Sequence, residues 1–191
     1  MRVYTERMKD FLELCSARYS LRTFAERAVE KEKIERCLEA ARLAPSAGNG
    51  QPWRFIVFDD PARKQELGKA AFTGVYQTTE RLGQAPVVVV LLAKLRFVTD
   101  VIGRMVQGTP WHLIDCGIAG EHFALAAAEQ GLGTCWIGWY EPKGLMKFLG
   151  LKGKGYVPIA LFALGYPPEG HPMPAKNRKS QEEIAGWNRV P

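Results

Sequence analysis

Three short stretches of this chain carry more polar and special-geometry residues than a core needs. The first is Arg18-Tyr19-Ser20-Leu21-Arg22. Two guanidinium groups flank a hydroxyl there. Guanidinium binds phosphate through paired hydrogen bonds, and a nearby hydroxyl adds another donor. The second is Pro45-Ser46-Ala47-Gly48-Asn49-Gly50-Gln51-Pro52-Trp53. Proline and glycine fix an irregular backbone whose amides can face a ligand. Asn49 and Gln51 each donate and accept, which matches the alternating edge of a flavin or nucleobase ring. The third is Gly131-Leu132-Gly133-Thr134-Cys135-Trp136-Ile137-Gly138-Trp139. Its glycines let a flat ligand approach the strand closely. Each stretch also has a plain packing account: a solvated basic turn, a polar turn anchored by Trp53, and a core strand whose tryptophans pack.

The elements that must position these stretches follow from apolar periodicity. Residues 6–17 place Met8, Phe11, Leu12 and Cys15 on one helical face, and residues 30–44 do the same with Ile34, Cys37, Leu38 and Ala41. Pro45 stops that second helix, because proline lacks the donor and clashes with the preceding turn. Residues 54–58 read as a strand, and Asp59-Asp60-Pro61 turns the chain into a charged helix over 61–71. Residues 86–93 are nearly all apolar and β-branched, a strand covered on both faces. The longest helix is expected over 111–130. Its Gly117, Ala119, Gly120, Ala124 and Ala126–Ala128 allow another backbone to approach, and Gly131 fits its C-terminal cap. Strands follow over 134–140 and 156–165, with a short helix started by Pro142 between them. Residues 165–191 read as a polar, proline-rich arm with a short helix over 180–187. Helices and strands interleave around one sheet, and periodicity leaves the strand order open.

A chain of 191 residues, 47% hydrophobic and 24% charged, suits a single domain with a sizeable core. No apolar run reaches the length of a membrane span, and the N-terminus reads without a secretory signal, so a cytoplasmic protein is expected. Cys15, Cys37, Cys116 and Cys135 form no CxxC pair and read as free thiols. They do not combine with His112, His122 and His171 at zinc-like spacing, so no metal is expected. The formal charge of +6 suits nucleic acid or a phosphorylated small ligand. The one tight basic cluster is Lys176, Arg178 and Lys179. There is no GxGxxG fingerprint, no GxxxxGK[ST] loop and no GxSxG elbow.

Taken together and in this order, the segments resemble the nitroreductase family of flavoenzymes, from about Arg18 to about Lys179. The most specific piece is Ala44-Pro-Ser-Ala-Gly-Asn-Gly-Gln-Pro-Trp53 followed by a strand. The next is Ala126-Ala-Ala-Glu-Gln-Gly-Leu-Gly-Thr-Cys-Trp136. The resemblance implies an α+β, three-layer fold with a mostly antiparallel sheet flanked by helices, built from residues 1–191 as one domain. It implies a homodimer that exchanges C-terminal arms (about 166–191) and holds two FMN molecules in its interface. The small-residue helix would then meet its symmetry mate. Residue by residue, Arg18, Ser20 and Arg22 fall where the family holds the FMN phosphate, ribityl chain and pyrimidine edge. Tyr19 stands where Ser or His is frequent, and its contact is through the backbone. Pro45, Ser46, Ala47 and Asn49 fall where the partner subunit closes over the flavin. Trp136, Ile137 and Gly138 fall beside the isoalloxazine near N5. Other versions of this strand carry an acidic residue at the Gly138 position. Lys176 and Arg178 fall where the tail grips the phosphate. Gln77 matches a polar flavin contact. Some relatives carry a lysine where Glu80 stands, which leaves Arg22 as the cation at the N1–O2 edge.

The implied activity is ping-pong hydride transfer from NADH or NADPH, through flavin N5, to a small electrophilic acceptor such as a nitroaromatic, quinone or activated alkene. No side chain is required as a nucleophile, and none is singled out as catalytic. Residues 95–112, with Phe97, Met105, Trp111 and His112, are expected to cover the pocket, and they carry no signature of the acceptor. Two other readings exist. One is a flavin-binding carrier or sensor without NAD(P)H turnover. The other is a basic nucleic-acid-binding protein, for which no reading motif is present. Neither a nucleic-acid nor a membrane partner is expected.

Overall fold

The computed structural model describes residues 10–95 and 108–191. Met8, Phe97 and Met105 lie outside them, and so does most of the expected cover segment. Helix α1 spans Phe11–Ala17 and starts at Asp10, whose side chain accepts the Leu12 amide. Residues 6–9 of the expected helix lie outside the described residues, and Asp10 takes a non-helical cap conformation. Phe11 and Leu12 are 63% and 69% exposed, so this part of α1 finds no cover among the described residues.

Helix α2 (Lys31–Arg42) buries Ile34, Cys37 and Ala41, the stripe read from the sequence. β1 (Trp53–Phe58) leads through the Asp60 cap and Pro61 into α3 (Pro61–Ala71). A 3-10 segment, Gly74–Gln84, then runs to β2 (Val87–Lys94). Helix α4 (Trp111–Glu129) ends on Gln130, and Gly131 takes a positive φ of 75° so that its amide and that of Leu132 close the last turn. β3 (Gly133–Ile137), α5 (Pro142–Phe148) and β4 (Tyr156–Gly165) complete the order.

The strands form one sheet in the order β1-β2-β4-β3, with every neighbouring pair antiparallel. This α+β arrangement replaces the undecided mixed sheet of the periodicity reading. β2 is buried along nearly its whole length, as a run covered on both faces must be. On one face Val89, Leu91, Phe162 and Leu164 pack with Cys37, Ala41, Cys116 and Phe123 of α2 and α4. On the other Val88, Val90, Leu161 and Ala163 pack with Leu67, Ala71, Leu82 and Leu145. Each such large side chain contributes about 1.5–3 kcal/mol by leaving water.

Two expected elements differ. β3 stops at Ile137 rather than at Tyr140, because the chain turns away where the Trp139 indole donates to the Val75 carbonyl (3.0 Å). Residues 180–187 form a turn rather than a helix, with Ile184 and Ala185 amides both directed at the Gln181 carbonyl. Gly186 and the exposed surroundings of the segment give a helix nothing to pack on.

The end of β4 is tied to α2 by a polar network. Tyr166 donates its hydroxyl to Glu30 (2.6 Å), Lys33 donates to the same hydroxyl (2.7 Å), and Arg27 lies over the Tyr166 ring. The Tyr166 hydrogen bond, its own backbone amide and Arg27 hold the Glu30 carboxyl at about 2. Because the folded value lies below the unfolded one, this contribution is complete above about pH 4.5 and is lost as pH falls toward 2. The melting temperature is expected to fall between pH 5 and 3 more steeply in the native chain than in Glu30→Gln. Parallel profiles would show that the network does not stabilise the fold.

Candidate functional site

The segment Arg18–Arg22 lies along the outer edge of the sheet. Ser20 forms a parallel bridge to Thr134, and the Leu21 amide donates to the Thr134 carbonyl (2.9 Å). Leu21 is fully buried against Gly133, which fixes the register and turns Arg18 and Arg22 outward along β3. Arg18 pairs with Glu121 on α4 at 3.3 Å.

After β4 the chain passes Pro167 and Pro168 and returns over this segment. His171 stacks on Tyr19, with ring centroids 6.0 Å apart and planes 11° from parallel. Lys176 then donates to the Cys15 carbonyl at the end of α1 (2.6 Å). The Lys176 ammonium is pushed down from its ordinary value by burial, and further by Arg18 and Arg178. Three cations contributed by opposite ends of the sequence therefore converge, with Glu121 as the one carboxylate acting on Lys176. Beside them opens a cleft of about 330 Å³ lined by Arg18, Tyr19, Gly133, Thr134, His171 and Met173.

β3 presents backbone more than side chains. Trp136 points to the α4 face and packs on Phe162 (4.2 Å between centroids) and against Gly120. Ile137 is buried on the opposite face. Gly138 is exposed, and a Cβ there would meet nothing within 4 Å, so packing within this chain gives no reason for glycine.

The loop Pro45–Trp53 is held in an unusual shape. Gly48, Asn49 and Gln51 take positive φ values of 54°, 52° and 45°. Two of these are not glycine, a conformation that persists only where the surroundings over-determine it. Here the Ser46 hydroxyl accepts the Gln51 amide (2.9 Å), and buried Asp115 of α4 accepts the Ala47 amide (2.9 Å). Asp115 was missed from sequence. Its signal was a carboxylate inside the apolar stripe formed by His112, Cys116, Ala119 and Phe123.

The structure thus brings together Arg18, Tyr19, Ser20, Lys176 and Arg178, with Trp136–Gly138 farther along the same edge. It does not bring Pro45, Ser46, Ala47 and Asn49 to them. Asp115 holds the loop and Glu121 holds Arg18. Six residues on α4 separate these two by about 9 Å along the axis and about 120° around it. Gln77 also lies apart, in a cleft between α3 and the 3-10 segment with Phe72, Thr73 and Glu80. Among the described residues, no group of His, Cys, Asp and Glu could hold a metal. All four cysteines are free, and burial pushes Cys37 up to about 12, so it is an inert thiol.

Clustered cations at a sheet edge, an exposed glycine farther along it and a separate loop with positive φ angles mark this α+β protein. This chain belongs to the nitroreductase family, whose model matches residues 15–166. It is 32% identical to an NADH dehydrogenase of Thermus thermophilus over 89% of this chain and 92% of that protein. A crystal structure of a nitroreductase family protein from Clostridium difficile 630 superposes with a TM-score of 0.77 at 29% identity, covering 95% of this chain and all of that one. A chain from Exiguobacterium sibiricum 255-15, solved in complex with FMN, superposes with a TM-score of 0.76 at 26% identity, covering 96% and 99%. No helix among the described residues is long and apolar enough to cross a membrane.

The donor set fits FMN. Two guanidinium groups and an ammonium suit a dianionic phosphate. The backbone of Trp136–Gly138, free of projecting side chains at its exposed end, suits a planar ring.

Proposed function

We propose that this chain is an FMN-dependent NAD(P)H oxidoreductase that acts as a homodimer on a small electrophilic acceptor. The observation that carries the reading is the convergence of Arg18, Lys176 and Arg178 at the head of the β3 edge. Three cations against the single carboxylate of Glu121 leave a net positive cluster suited to an anion, and the matched chain from Exiguobacterium sibiricum was solved with FMN. NADH as donor is favoured by the name of the Thermus thermophilus relative.

FMN, when bound, supplies hydride transfer at N5. Arg18, Lys176 and Arg178 hold its phosphate, and Ser20 adds a hydroxyl donor beside it. The backbone of Trp136–Gly138 admits the ring face to close contact. Arg22 sets a positive charge at the pyrimidine edge, where charge grows during reduction. Donor and acceptor then occupy the open face in turn, which is a ping-pong order.

Homodimer formation answers three features. The loop Pro45–Asn49 lies too far around α4 to reach the Arg18 cluster of its own chain, so it serves the partner's site. Trp111, Leu113 and Ile114 of α4 are exposed, as are Phe11 and Leu12 of α1. The tail leaves Trp187 and Val190 91% and 88% exposed, as an arm awaiting a second surface.

Adding FMN to the purified protein is expected to give a bound-flavin spectrum. At a hundredfold excess over Kd it should add about 2.7 kcal/mol of stability. A protein that stays colourless and gains no heat stability with excess FMN overturns the reading. NADH or NADPH oxidation with a quinone acceptor separates an enzyme from a flavin carrier.

A further inference from the structure

Asp115 is a carboxylate set where the core would take an apolar side chain. It is 3% exposed, on the face of α4 that also buries Cys116, Ala119 and Phe123. One of its oxygens, Oδ1, accepts the Ala47 amide at 2.9 Å. The other, Oδ2, has no hydrogen-bond partner among the described residues. Burying a carboxylate costs stability, and a single hydrogen bond offsets only part of that cost. Packing alone would favour an apolar residue there, as at Ala119 one turn on. The carboxylate is matched instead to the loop that it holds.

That loop needs holding. Its positive φ values at Asn49 and Gln51 fall on residues other than glycine. Bonds inside the loop close its turn. The Asn49 amide donates to the Ser46 carbonyl (3.0 Å), the Gln51 amide to the Ser46 hydroxyl (2.9 Å), and the Gln51 side chain to Asn49 Oδ1 (3.0 Å). These bonds fix the curvature of the loop but not its bearing on the rest of the fold. The Ala47–Asp115 bond supplies a bearing, because it ties the turn to α4, 68 residues away in sequence. Gly48 and Asn49, next to the tie, are exposed.

We infer that Asp115 is a positioning residue for the flavin site of the other subunit. It acts through the Ala47 amide and holds Pro45–Asn49 in the shape that closes over the FMN bound by the second chain. The inference rests on the FMN homodimer reading above. Its consequence is an effect across the interface: loss of Asp115 weakens the opposite site and spares the Arg18 cluster of its own chain.

Asp115→Ala is expected to weaken FMN binding about tenfold, the worth of one hydrogen bond to a charged group. Asp115→Asn should restore most of that affinity, since its side-chain oxygen can still accept the Ala47 amide. Thermal unfolding of both apoproteins should stay close to that of the native chain. The deciding experiment is a mixed dimer of one Asp115→Ala chain and one Arg18→Ala chain, purified through two different tags. Each homodimer is weak at both sites. In the mixed dimer, one site joins the native Arg18 cluster of the first chain to the native loop of the second. Fluorescence titration should then find one FMN bound per dimer with native affinity, a recovery that a merely structural role for Asp115 would not give. Absence of a tight site in the mixed dimer, undiminished affinity in Asp115→Ala, or an Asp115→Ala apoprotein that fails to fold overturns this assignment alone. Failure of the unaltered chain to bind FMN, or its binding FMN as a monomer, overturns the proposed function and this inference with it.

Discussion

Replacing Arg18 and Arg178 together by alanine is expected to weaken FMN binding by a hundredfold or more. A hydrogen bond to a charged group is worth about 1.5–3 kcal/mol, so losing two of them gives about that factor or more where the losses add. Fold stability in the absence of FMN should move the other way or stay constant. The Arg18–Glu121 pair is partly exposed and contributes little. Meanwhile Lys176 sheds the repulsion of both neighbours. Falling affinity with unimpaired apoprotein stability is the signature of a binding cluster, whereas a structural role for the arginines would lower both. Fluorescence titration with FMN at several salt concentrations checks this, and the salt dependence should flatten as the charges are removed. Undiminished affinity in the double variant would show that the phosphate is held elsewhere.

Much of the scaffold was legible because its signals are local. Val87–Val90 declare a doubly buried strand through β-branching alone, and the Ile34, Cys37 and Ala41 spacing declares the buried face of α2. Gly131 marks the end of α4 because its positive φ is a backbone demand. The elements that escaped are those without such a period. A 3-10 segment repeats every three residues, and neither the helical nor the strand pattern detects that, so no element was assigned over Gly74–Gln84. Gln77, which the resemblance put at a flavin contact, lines a cleft against α3.

The proposed binding residues divide in the same way. Arg18, Ser20 and Arg22 announce themselves by spacing. The return of Lys176 onto the Cys15 carbonyl depends on the turn at Pro167–Pro168 and the stacking of His171 on Tyr19, contacts between distant segments. Family resemblance implied that Lys176 and Arg18 serve one phosphate, but it did not give these contacts. Asp115 shows the converse case. One carboxylate in an apolar stripe is a visible irregularity, but its meaning comes only from the Ala47 amide it receives.

Gly120→Ala is expected to lower stability although alanine favours helix. The propensity gain is about 1 kcal/mol. Against it, the new Cβ would stand 2.2 Å from Trp136 Cη2, 2.6 Å from Cζ2 and 3.0 Å from Phe162 Cζ. Neither ring is free to yield, since Trp136 and Phe162 pack on each other and Phe162 packs in turn on Phe123. Overpacking of this kind costs about 1–3 kcal/mol or more, so the clash outweighs the propensity. A drop of several degrees in melting temperature is the expected result. The same shift would move the backbone of Trp136–Gly138, so FMN affinity should fall with it. Gly117→Ala provides the internal comparison, because its Cβ would meet nothing within 4 Å in this chain. There the propensity gain stands alone, and a small stabilisation is expected in the monomer. If Gly117→Ala instead weakens self-association in sedimentation experiments, α4 is a seam between subunits, and its small residues serve two surfaces. Equal effects at Gly117 and Gly120 would show that the close approach of Trp136 to α4 does not govern stability.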